Sequence, residues 1–130
     1  QDISFAADIP DDMMVRADPE QMYRVLSNLM RNARQAIMAA GQSGEVGVQA
    51  IDTDAAWKIT VSDTGPGLPP KAQQHLFTPF QGGARKGGSG LGLAIAAELV
   101  KGHGGDLSLV STDASGTRFT ITLPKGDGTV

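Results

Sequence analysis

Apolar residues recur at three- and four-residue spacing from Met22 through Val25, Leu26, Leu29, Met30, Ala33, Ala36 and Ile37 to Ala40, and the stripe stops at Gly41. That period belongs to an amphipathic α-helix with one face to bury. Its start is marked as well: Asp18-Pro19-Glu20-Gln21 supplies an N-cap carboxylate, a proline at the first helical position and a glutamine three residues after the cap. Elsewhere the pattern shortens to alternation. Ile3–Ile9 reads as a strand closed by Pro10-Asp11-Asp12, and Met14–Ala17 as a short second one. Glu45–Asp52 and Ala56–Asp63, joined by Thr53-Asp54-Ala55, read as an antiparallel pair. Asp106–Thr112 and Thr117–Leu123 alternate cleanly around a turn and predict a second hairpin. A short helix is expected over Pro70–Leu76 and a longer one over Leu91–Lys101, the latter ended by Gly102-His103-Gly104-Gly105. Phe77–Gly88 has no periodicity and reads as a mobile loop. Together these elements predict an α/β (α+β) two-layer sandwich over residues 1–124, a mixed, mostly antiparallel sheet with about three helices on one face, followed by a tail at 125–130.

Composition narrows the function classes. With 130 residues the chain is long enough for one real core. Its net charge of −3, with no basic run longer than Arg85-Lys86, does not support a nucleic-acid partner. The absence of cysteine removes disulfides and thiolate metal sites. No apolar stretch approaches the roughly 18 residues that cross a bilayer. The chain opens on Gln1 and reads as a domain excised from a longer protein.

Three constellations could carry chemistry. Asn28 and Asn32 lie four apart on one helix flank, Asn32 roughly 80° from the centre of the stripe. A carboxamide oxygen there suits Mg²⁺, which keeps waters and prefers phosphate partners, although two solvated asparagines fit the spacing too. A strand delivers Asp63 into Gly65-Pro66-Gly67. The carboxylate can accept a hydrogen bond from an exocyclic amine such as that of adenine, with the glycines flat against the base; a plain tight turn is the alternative. Gly88, Gly90 and Gly92 lead directly into a helix, where backbone N–H groups and the helix dipole favour a phosphate. No Gly-Lys-Ser/Thr closes this stretch, so it is not a P-loop. Arg85 and Lys86, just upstream, could meet a polyphosphate or simply face solvent. His75 and His103 lack metal-ligand spacing, and His103 suits a structural role against a helix C-terminus.

In order and spacing, these motifs resemble the catalytic ATP-binding domain of sensor histidine kinases in the GHKL ATPase superfamily, over about Ile3 to Leu123. "NLMRNARQA" resembles the family's asparagine box, "DTGPG" its first glycine box, "FTPF" its phenylalanine box, "GGSGLGL" its second glycine box, and "GTRFTITLP" the closing glycine-threonine box. The resemblance implies a GHKL-type fold that takes ATP and Mg²⁺. In it Asn32 binds the metal with Asn28 beside it, Asp63 reads adenine, and Gly65 and Gly67 line the base. Phe77 and Phe80 would anchor a lid over Gln81–Gly88. Gly88, Gly90, Leu91 and Gly92 would bring the helix N-terminus to the phosphates, and Thr117 would support a water network around Asp63. One departure stands out: many members carry a basic residue where this chain has Gln35, a charge that Arg85 or Lys86 could replace.

The implied activity is transfer of the γ-phosphoryl group to a histidine on a separate dimerisation domain of the same kinase, with a response regulator downstream. The domain itself would be monomeric and cytoplasmic, whether or not its parent is anchored in a membrane. A catalytically inactive signalling module, another GHKL ATPase and a serine kinase are the alternative readings.

Overall fold

The computed structural model describes residues 3–10, 18–53, 55–74, 76–77 and 92–124. The expected strand at Met14–Ala17, most of the Phe77–Gly88 loop, His75 and the tail lie outside these residues. Eight elements follow in chain order: β1 (Ile3–Asp8), α1 (Pro19–Ala39), β2 (Gly44–Asp52), β3 (Ala56–Asp63), α2 (Pro70–Gln74), α3 (Gly92–Gly102), β4 (Asp106–Asp113) and β5 (Gly116–Pro124).

Helix α1 starts where its cap signal predicts. Asp18 has extended backbone, and its Oδ1 accepts from the N–H groups of Glu20 at 2.9 Å and Gln21 at 3.1 Å. Two of the donors that a helix start leaves unpaired are thereby satisfied. At the other end Gly41 takes φ +68°, a left-handed conformation that suits glycine, and its N–H donates to the Met38 carbonyl. Val25, Leu29, Ala33, Ala36 and Ile37 are buried, while Met22, Leu26 and Met30 are half-buried on the border of the stripe and Ala40 is exposed.

The sheet order is β1-β2-β3-β5-β4. The β1–β2 pair is parallel and the other three are antiparallel. Parallel neighbours need a crossover, and α1 supplies it. Alternate residues of the central strands point into one core: Val46, Val48 and Ala50 on β2, Trp57, Ile59 and Val61 on β3, Phe119, Ile121 and Leu123 on β5. Helices α1 and α3 cover that face. Thr60 and Thr120 meet across the opposite face, hydroxyl to hydroxyl at 3.1 Å. The two-layer α/β sandwich is therefore present, and its core is continuous from α1 through α3 to the sheet.

Two details depart from simple expectation. Strand β4 does not alternate cleanly, because its register with β5 shifts between Leu109 and Ser111. The extra residue, Val110, forms a bulge and is exposed. A bulge reverses which side chains face which way beyond it, so Thr112, not Ser111, shares the core side with its partner Thr117. The second detail is His103. Its Nδ1 lies 2.8 Å from the Leu99 carbonyl oxygen, which can only accept, and its Nε2 lies 3.1 Å from the Asp18 N–H, which can only donate. The ring is thus the neutral tautomer with its proton on Nδ1. It joins the end of α3 to the start of α1 by hydrogen bonds instead of opposing the helix dipole with charge.

Candidate functional site

Asp63 closes β3 on the helix side of the sheet, in the same parity as Trp57, Ile59 and Val61. Its neighbours in register are Val46 on β2 and Thr117 on β5, and Thr117 in turn pairs with Thr112 on β4. One row thus crosses three strands from carboxylate to two hydroxyls. Asp63 Oδ1 accepts from the Gly65 N–H at 2.8 Å, an Asx turn that orients the carboxylate.

The segment after Asp63 is tied down on both sides. Thr64 extends the β2–β3 ladder, donating its N–H to the Glu45 carbonyl at 3.1 Å and accepting the Glu45 N–H on Oγ1 at 2.9 Å. Gly65 is buried, and a Cβ placed on it would stand 3.0 Å from Asp63 Oδ1 and 3.5 Å from the Ala36 Cβ of α1. Gly67 takes φ +86°, and a Cβ there would overlap the Asp113 carbonyl at the tip of the β4–β5 hairpin. One residue on, the Leu68 N–H donates to Thr112 Oγ1 at 2.8 Å. Thr112 Oγ1 also lies 2.9 Å from Thr117 Oγ1, and Thr117 is only 4% exposed. The segment therefore arches from β3 across the start of β5 to β4; a side chain would collide at Gly67 and would crowd the Asp63 carboxylate at Gly65.

The hairpin tip has its own electrostatics. The Asp113 carboxylate is held below the ordinary value of 3.8, chiefly by the Ser115 hydroxyl, then by the Ser115 N–H, with lesser help from the Gly116 N–H and Arg118. Accepting hydrogen bonds favours the ionised form.

On the helix side, α1 and α3 pack against each other as an antiparallel pair: Asp18 meets His103 at one end, and Asn28 meets Gly92 at the other. A Cβ on Gly92 would touch the Asn28 Cβ and Cγ at 3.9 Å. Asn28 and Asn32 are both half-buried on that flank, one turn apart. Phe77 packs edge-on against Phe119, with ring centroids 6.2 Å apart, and so fixes the segment leading away from α2 to the core.

The expected site residues thus fall into three sets. Asp63, Gly65, Gly67 and Thr117 gather at the sheet end, and Asn28, Asn32 and Gly92 line the α1–α3 flank. Phe80, Arg85, Lys86, Gly88, Gly90 and Leu91 lie outside the described residues. Sequence reasoning named Gly116 only as the start of the closing box and missed Thr112 and Asp113, because only the bulge and the hairpin closure bring these two to Thr117, Leu68 and Gly67. The Asp-Ala-Ser-Gly turn was the available signal.

The donor set bears on which ligands fit. Among the described residues no group of three or more His, Cys, Asp or Glu could hold a metal ion. A neutral asparagine oxygen instead suits Mg²⁺, which draws most of its ligands from phosphate and water. A buried glycine beside an oriented carboxylate suits a planar base with an exocyclic amine.

The family model described as histidine kinase-, DNA gyrase B- and HSP90-like ATPase matches residues 17–127. The chain belongs to that family. Its relatives narrow the family to sensor histidine kinases. The sensor histidine kinase ZraS of Escherichia coli O157:H7 is 40% identical over 110 residues, 85% of this chain and 23% of the relative. The nucleotide-free catalytic domain of the histidine kinase ThkA superposes with a TM-score of 0.77 at 30% identity, covering 95% of this chain and 80% of that one. Full-length ShkA in complex with AMPPNP gives a TM-score of 0.78 at 29% identity, covering 94% of this chain and 25% of that one. The chain is accordingly a catalytic ATP-binding domain of the sensor histidine kinase type, spanning about a quarter of the length of the curated relative ZraS.

Proposed function

We propose that the chain binds Mg-ATP between the Asp63 end of the sheet and the α1–α3 flank, and donates the γ-phosphoryl group to a histidine on a separate dimerisation domain. The observation that carries this reading is the Asp63–Gly65 turn. It places a carboxylate, oriented by a backbone N–H, beside a buried glycine on the helix side of the sheet. ShkA shares the fold and was solved with AMPPNP, which supports a nucleotide here.

In this reading Asp63 accepts a hydrogen bond from the adenine amine, while Gly65 and Gly67 let the backbone approach the ring. Asn32, with Asn28 beside it, would hold Mg²⁺, whose charge offsets that of the phosphates. Gly88, Gly90, Leu91 and Gly92 would present N–H groups to the phosphates, with Arg85 and Lys86 adding charge and Phe80 anchoring the lid. Transfer forms a bond between the acceptor imidazole nitrogen and the γ-phosphorus. It breaks the bond to the bridging oxygen, which leaves on ADP, and the imidazole gives up its N–H proton. His103 is not a candidate acceptor, since both ring nitrogens are engaged within the fold. A response regulator would receive the group next.

The test is calorimetric titration of wild type and Asp63→Ala with ATP, with and without Mg²⁺, each checked for folding by circular dichroism. Binding by wild type that Asp63→Ala abolishes is expected. A folded wild type that ignores millimolar ATP would overturn the proposal.

A further inference from the structure

Thr112 Oγ1 is the junction of two hydrogen bonds that tie three segments together. The Leu68 N–H can only donate, so at 2.8 Å Thr112 Oγ1 accepts from it. On its other side, at 2.9 Å, stands Thr117 Oγ1, buried and in register with Asp63. We infer that Thr112 is a positioning residue for purine discrimination. It gives its hydroxyl proton to Thr117, so that Thr117 presents its own proton, as a donor, to the base that Asp63 reads.

The β4 bulge makes this possible. Without the shift between Leu109 and Ser111, the alternation would turn Ser111 to the site and Thr112 to the outer face. A hydroxyl in the middle of a chain takes its direction from its neighbours. The Leu68 amide takes one lone pair of Thr112 Oγ1, and in this inference the Thr112 proton goes to Thr117 Oγ1, the hydroxyl 2.9 Å away. A row of one carboxylate acceptor and one hydroxyl donor then matches adenine, which offers an amine donor beside ring-nitrogen acceptors. Hypoxanthine offers a carbonyl acceptor and a ring N–H donor instead, the opposite pattern. Thr112 also holds Leu68, and with it the arch containing Gly65 and Gly67, against the hairpin.

The inference rests on the nucleotide reading above, and one set of measurements separates the two. Wild type, Thr112→Val and Thr112→Ser are titrated with ATP and with ITP, and exchange of the Leu68 amide proton is followed in each. Valine keeps the shape and removes the hydroxyl; serine keeps the hydroxyl. Thr112→Val is expected to lose about tenfold in ATP affinity and much less in ITP affinity, compressing the ATP/ITP ratio. Its Leu68 amide should exchange faster, and Thr112→Ser should restore both the ratio and the protection. A folded Thr112→Val that keeps the wild-type ratio, or an unchanged Leu68 amide, overturns this inference alone. Wild type that binds neither nucleotide overturns the nucleotide reading and this inference with it.

Discussion

Gly116 stands against Asp63 so closely that a Cβ on it would overlap the Asp63 carbonyl oxygen, and its φ of +146° is one that other residues rarely adopt. The first residue of β5 is thus fitted to the last residue of β3, and the hairpin can close onto the site only through a glycine. Gly116→Ala is expected to destabilise the fold by more than about 1 kcal/mol, because backbone strain and a steric clash add. Urea unfolding should show a lower midpoint at unchanged slope, with ATP affinity falling alongside.

Asn32→Ala should weaken ATP binding in the presence of Mg²⁺ and leave magnesium-free ATP binding within about twofold, since removing a carboxamide ligand touches the metal rather than the base. Paired titrations with and without EDTA make the comparison. Equal loss in both conditions would remove Asn32 from the metal site.

Asp113 links acid to hairpin stability. Its carboxylate is held below 3.8 in the folded chain, so its contribution is fully present above the unfolded value and fades as pH falls through the lower folded one. Thermal melts of wild type and Asp113→Ala should differ at pH 6 and converge as acid protonates the folded carboxylate below pH 3.8.

The Asp18 cap and His103 meet at the α1–α3 junction. Asp18→Ala should cost about 1 kcal/mol as the first turn of α1 loses its cap. His103→Ala should cost a comparable amount, by removing the hydrogen bonds its ring makes with the Asp18 N–H and the Leu99 carbonyl. The pair should be less than additive in a double-mutant cycle, because either change loosens the same helix end.

Leu29 and Ile37 are almost fully buried where α1 meets the rest of the core. Leu29→Ala should cost about 2–5 kcal/mol, a transfer loss plus a cavity. Because Ile37 also stands within 3.1 Å of a Cβ placed on Gly44 and 3.6 Å of one on Gly65, Ile37→Ala should additionally lower ATP affinity. Leu29→Ala, measured well below its melting temperature, should not.

The chain's local chemistry by itself determined where most elements begin and end. Asp18 and Pro19 started α1, and the strand at Ala56–Asp63 ended at the carboxylate its motif marked. Period and capping are decided by neighbours within a few residues, so they are written where they act. The order and spacing of the motifs were enough to identify the family.

Only the tertiary structure decided what the elements meet. Ile3–Asp8 pairs in parallel with Gly44–Asp52 across an entire helix, and β5 inserts between β3 and β4. Neither follows from alternation, because strand partners are selected by long-range packing of a shared core. The same holds at atomic scale. A single bulge at Val110 turned Thr112 rather than Ser111 toward Thr117, and the neutral His103 ring found the Asp18 N–H 85 residues away. Backbone groups that must be paired when buried choose their partners only after the chain has closed around them.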